Sequence, residues 1–167
     1  MSAAHHFELV TDWRIDAPID AVYDALFDTA SWPTWWHYVR SVETLRAGDA
    51  HGVGAMKRFT WDSRLPYSLR FDMEVVEARR PTRLRGIATG ELEGEGLWEL
   101  WPDDDGTRVR YTWRVGLNRP WMRTLAPVMA PAMRWNHNGL MAAGQAGLQS
   151  HLRSVLQNLR QKVLRPG

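Results

Sequence analysis

Along residues 6–15 apolar and polar side chains alternate, with Phe7, Leu9, Trp13 and Ile15 sharing one parity. A period of two predicts a half-buried strand. Ala17-Pro18 ends it. Pro18-Ile19-Asp20 then opens a short helix to about Phe27, with Val22, Tyr23, Leu26 and Phe27 at helical spacing. Asp28-Thr29-Ala30-Ser31 breaks that helix, and Ser31 is placed to cap a second one with Pro33 in its first turn. Strand patterns follow over 39–45, 57–61 and 67–75, then over 82–93, 94–100 and 109–117. Gly52-Val53-Gly54 and Arg80-Pro81 mark turns, and Asp104-Asp105-Gly106 is a hairpin signal. Residues 120–130 (PWMRTLAPVMA) are apolar and interrupted by proline, which predicts a short helical or irregular lid. Asn118-Arg119-Pro120 ends the strand region before it.

Over 131–164 the period changes to 3.6. Met133, His137, Leu140, Met141, Gly144, Leu148, Val155 and Leu159 gather on one side of a wheel, and Arg134, Asn138, Gln145, Gln149, Arg153, Gln157 and Arg160 on the other. Pro131 suits the first turn, Arg160, Lys162 and Arg165 complement the dipole near the end, and Pro166-Gly167 stops the helix. The expected fold class is α+β: an antiparallel sheet laid against one long helix, in a single domain over 1–167.

One strand pattern differs from the rest. Gly86, Ala88 and Gly90 share the parity of Leu84 and Leu92. Three small residues on a core-facing stripe predict space above the sheet, and Gly144 and Gly147 predict the same on the helix. Close helix–sheet approach is the other consequence that glycine permits.

Composition narrows the chemistry. A length of 167 residues with 44% hydrophobic content is enough to bury a core. Ten Trp place large aromatic area inside. A net charge of +2 without a basic tail gives no nucleic-acid signature. The absence of Cys excludes disulfides, thiolate nucleophiles and thiolate metal sites. No apolar run reaches membrane-spanning length, so stable membrane insertion is not expected and a cytoplasmic location is the default.

The six His do not form a metal-binding pattern; His137 and His151 share a helix but stand about 21 Å apart at 1.5 Å per residue. No metal and no cofactor is expected. Gly52-Val53-Gly54 and Gly94-Glu95-Gly96 lack the third glycine and long helix of a dinucleotide site, and no Gly-x-Ser-x-Gly elbow occurs. Parity places Arg58, Arg70, Arg83, Arg85, Arg108, Arg110 and Arg114 on the outer sheet face with Glu99, as a charge ladder. His137 sits inside the apolar helix stripe. It reads as a proton-transfer group, as a core histidine bonded to a strand residue such as Tyr111, or as a structural anchor for the lid, with Asn136 beside it as a polar contact.

The order of elements resembles the helix-grip fold of the START-like superfamily, also called SRPBCC, and in particular its polyketide cyclase/dehydrase family. Ala17-Pro18-Ile19-Asp20-Ala21-Val22-Tyr23 is similar to that family's first-helix signature, and Trp32-Pro33-Thr34-Trp35-Trp36 to its second. Gly52-Val53-Gly54 and Gly106-Thr107-Arg108-Val109 also match. The resemblance implies a curved seven-stranded antiparallel sheet around a long C-terminal helix, with two short helices after the first strand and an apolar cavity between the layers. It implies binding of a small hydrophobic molecule, such as a lipid, isoprenoid or aromatic polyketide. The alternative is a polyketide cyclase or dehydratase that uses the same cavity. A partner-binding protein would instead display an exposed apolar patch.

Inward parity then nominates the walls. The strands supply Phe59, Trp61, Leu69, Phe71 and Met73, then Gly86, Ala88, Trp98, Tyr111 and Trp113. The helix supplies His137, Leu140, Met141 and Gly144. Trp35, Trp36, His37 and Tyr38 are the expected mouth. Tyr111 and His137 are the candidates for ligand hydrogen bonds or proton transfer.

Overall fold

Seven antiparallel strands form one sheet in the order β1-β7-β6-β5-β4-β3-β2. They are β1 (His6–Ile15), β2 (Val39–Arg46), β3 (Met56–Trp61), β4 (Leu69–Arg79), β5 (Arg83–Gly90), β6 (Leu92–Asp103) and β7 (Gly106–Leu117). The computed structural model describes residues 6–117 and 120–164. The readings made above for Asn118, Arg119, Arg165, Pro166 and Gly167 lie outside the described residues.

β1 and β2 are consecutive strands at opposite edges of the sheet. The chain crosses between them as α1 (Ile19–Phe27), a 3-10 turn (Thr29–Ser31) and α2 (Trp32–Trp35). The long helix α3 (Pro120–Val163) lies across the sheet. This is the helix-grip fold.

Several boundaries differ from the sequence reading. The stretch 82–93 is not one strand: Gly90 adopts φ 115°, so β5 stops there and β6 starts at Leu92. β4 continues past Val75 to Arg79 through a register shift between Val75 and Glu77. The Ser31 hydroxyl donates to the Asp28 carbonyl at 2.8 Å, so it does not cap α2. No lid precedes α3, because the helix runs unbroken from Pro120 with Pro127 and Pro131 inside it. Both prolines face solvent, where water can satisfy the carbonyls that lose their partners.

The two sheet faces separate by parity. Outward, Arg110 pairs with Asp12, Arg114 with Glu8, Arg85 with Glu95, Arg83 with Glu77 and Arg58 with Asp72. The expected charge ladder is present, and Leu97 and Thr112 lie buried among its strands. Inward, Trp13, Ile15, Phe59, Phe71, Leu100 and Val109 form the core with α1, α2 and α3. On α3, Leu148 and Leu152 are buried, whereas Val155 and Leu159 are exposed. At 1.5 Å per residue α3 is about 66 Å long and outruns the sheet, so its last turns stand largely in solvent. Among the described residues no helix is long and apolar enough to cross a membrane.

Candidate functional site

Between the concave sheet face and the first half of α3 lies a cavity of about 220 Å³. Strand alternation builds its walls. β3 contributes Lys57, Phe59 and Trp61; β4 contributes Leu69, Phe71, Met73 and Val75. Leu84 and Gly86 come from β5, Gly96 and Trp98 from β6, and Tyr111, Trp113 and Val115 from β7. Met133, Asn136, His137, Leu140 and Met141 of α3 close one side. Phe27, Thr29, Trp32, Trp36 and the Gly52 turn close the far end.

An indole cluster holds this space in shape. The Trp36 ring meets Trp61 at 4.9 Å and 84°, Trp32 at 5.1 Å and Trp13 at 5.5 Å. Its Nε1 donates to the Leu140 carbonyl at 2.8 Å, which ties α2 to α3. Trp98 stacks on Tyr111 at 4.0 Å. Edge-to-face and offset contacts of this kind each add about 0.5–1.5 kcal/mol beyond area burial.

Five residues nominated for the walls or mouth, Trp35, His37, Tyr38, Ala88 and Gly144, lie elsewhere. Trp35 is buried under α3, stacked on His151 at 6.1 Å. His37 is exposed and packs edge-on against Tyr38 outside the cavity. Ala88 is buried in the sheet without reaching the cavity. Gly144 is covered by the Trp36 ring, and Gly147 by the Trp35 backbone. The helix glycines therefore serve close approach rather than open volume. Trp36 itself is fully buried at the centre of the cluster, not at a mouth. Gly86 does line the cavity, but Met73 folds over it: a Cβ there would stand 2.7 Å from the Met73 Sδ.

The polar groups in the walls are few. His137 Nε2 lies 3.4 Å from Thr11 Oγ1, an inward residue of β1. Its partner is thus Thr11 and not Tyr111. Burial pushes the His137 pKa down to about 4, so the imidazole is neutral at pH 7. Asn136 is buried and accepts the Arg64 backbone N–H at 2.8 Å through Oδ1. The Arg64 guanidinium also lies over the Trp135 ring at 3.5 Å, which pins the β3–β4 loop to α3. Burial raises the Tyr111 pKa well above the ordinary phenol value, so it is a neutral hydroxyl. The Trp61 Nε1 is buried with no hydrogen-bond partner among the described residues.

Sequence reasoning missed Lys57. It shares the parity of Phe59 and Trp61, so β3 aims it inward, and its Nζ donates to Thr29 Oγ1 at 2.7 Å. Burial lowers its pKa, opposed by the charge of Asp28. Its place in the alternation was visible; its charge made a solvated position the default. Met133 and Asn136 could be found from the helix wheel. Thr29 and Gly52 could not, because only the fold brings those turns to the cavity.

Residues 6–163 match the family described as polyketide cyclase / dehydrase and lipid transport. Solved structures share the fold at low identity. TTHA0849 from Thermus thermophilus is 22% identical with a TM-score of 0.72, covering 87% of this chain and 99% of its own. A START superfamily protein from Mycobacterium smegmatis is 12% identical with a TM-score of 0.73, covering 89% and 98%. The Zhui aromatase/cyclase from Streptomyces sp. R1128 is 13% identical with a TM-score of 0.70, covering 89% and 94%. No curated protein sequence matches the chain.

Proposed function

The chain belongs to the polyketide cyclase / dehydrase and lipid transport family, and from that premise we propose that it binds a small hydrophobic molecule between the sheet and α3. One observation carries the reading: a cavity of about 220 Å³ with mainly aromatic and aliphatic walls. Apolar walls supply most of the affinity of such sites, and a few polar groups fix orientation. Volume narrows the class. An apolar cavity of about 150 Å³ holds one benzene ring, so this one has room for a compact two-ring molecule. An aromatic polyketide fragment or small isoprenoid fits that space better than a long-chain lipid.

A second reading, cyclisation or dehydration of a polyketide-like chain, is favoured by His137. A neutral imidazole beside the cavity presents an unprotonated ring nitrogen to a substrate, a weak base whose protonated form burial disfavours. One experiment separates the two. The purified protein is examined by native mass spectrometry, and its bound molecules are extracted and offered back to it. A co-purifying apolar compound recovered unchanged supports binding, and its conversion supports the enzyme. A protein that carries none and takes up no offered apolar compound contradicts both.

A further inference from the structure

An ammonium group inside an apolar cavity needs an explanation. Lys57 stands in the wall between Phe59 on its own strand and Thr29, Gly52 and Phe27 at the far end. Its neighbours of opposite parity, Met56, Arg58 and Thr60, face away, and Arg58 there has its own carboxylate in Asp72 at 2.7 Å. Among the described residues no carboxylate lies within 4.0 Å of Lys57. Asp28 acts on it through space without forming an ion pair. Thr29 Oγ1 takes one N–H of the three that an ammonium offers. A half-buried cation with two free donors and no counter-ion is costly unless something pairs with it.

We propose that Lys57 is the anchor for a carboxylate on the hydrophobic ligand, with Thr29 orienting the ammonium toward it. The inference deepens the binding reading above and rests on it. The acid group would sit at the Lys57 end, and the ring system would extend along the face of β3 past Phe59 to Trp61. Four residues of strand span about 13 Å at 3.3 Å per residue, enough for a carboxylate on a two-ring body. The ligand class is therefore a compact aromatic or alicyclic monocarboxylic acid rather than a neutral hydrocarbon or sterol.

Two isosteric fluorescent probes test this: 2-naphthoate and 2-naphthalenemethanol, titrated into the full chain at neutral pH. An apolar cavity without a cation prefers the neutral alcohol, because burying an unpaired carboxylate costs several kcal/mol. The sign of the preference in the wild-type protein is thus informative before any substitution is made. We expect naphthoate to bind roughly tenfold tighter than the alcohol or better, the scale of one charge-assisted hydrogen bond. Lys57→Met should remove that preference while leaving alcohol affinity within roughly threefold. Equal affinities in the wild type, or a preference for the alcohol, overturn the anchor and leave the cavity reading standing. Equal loss of both probes in Lys57→Met also overturns it, since the lysine would then be supporting the wall. If neither probe binds the wild type, the cavity reading falls and the anchor falls with it.

Discussion

The same helix meets the sheet in two different ways along its length. Around Gly144, Gly147, Leu148 and Leu152 there is no space: the Trp36 ring and Trp35 backbone press against the glycines, and Leu148 is fully buried. Side chains tie this half down as well, with Gln149 Oε1 accepting the Asp16 N–H at 2.9 Å and Gln145 Nε2 donating to the Arg14 carbonyl at 3.2 Å. Between Met133 and Met141 the helix instead faces the cavity. It is held there by polar contacts of Thr11 with His137, Arg64 with Asn136 and the Trp36 Nε1 with the Leu140 carbonyl. α3 approaches β1 and β7 most closely. Where β3 to β5 curve away, the gap is spanned by side chains and not filled. Small residues do not make this void, since Met73 covers Gly86 and Tyr111 lies over Gly96. The void follows from the separation of the layers.

Two leucines of α3 give the largest contrast. Leu148→Ala, in the filled half, should lose about 2–5 kcal/mol, the cost of a cavity in a close-packed core. Leu140→Ala, against existing space, should lose about 1 kcal/mol, because it removes fewer contacts and creates little new void. Urea unfolding of the two variants measures the difference. Equal losses would mean that the two halves are packed alike.

Acid sharpens the contrast next. His137 has its pKa pushed down to about 4 in the folded chain, against 6.5 unfolded. Between those values the unfolded chain takes up a proton that the folded one refuses. Stability therefore falls as pH drops from 6.5 toward 4, by up to about 3 kcal/mol, and His137 adds no slope above that window. His137→Gln should flatten the decline when unfolding is followed across that range. A decline unchanged by the substitution would show that His137 is not held neutral.

Much of this was legible in the sequence, and the limits have physical causes. Strand alternation placed Phe59, Trp61, Leu69, Phe71 and Met73 on one face because period-two geometry leaves no choice. Element order was enough for the helix-grip topology. Gly144 was misread because a wheel reports which face a residue takes, not what arrives from across the fold; what arrives is Trp36, about a hundred residues away in sequence. The start of α3 was misplaced because proline preferences are local, and solvent exposure lets the helix absorb both prolines. Lys57 lay inside a readable pattern whose parity points inward, but charge argued for water, and only the fold brings Thr29 to its ammonium.

The central claim is that the space beneath the first half of α3 admits an apolar molecule. The most direct test follows the ten Trp indole N–H signals by proton–nitrogen NMR while 2-naphthalenemethanol is added. The cavity account predicts saturable shifts largest at Trp61, Trp98, Trp113, Trp32 and Trp36, which line the site, with Trp101 and Trp121, exposed and outside it, nearly unmoved. Shifts confined to Trp101, Trp121 and Trp135, or none at saturating probe, would contradict it.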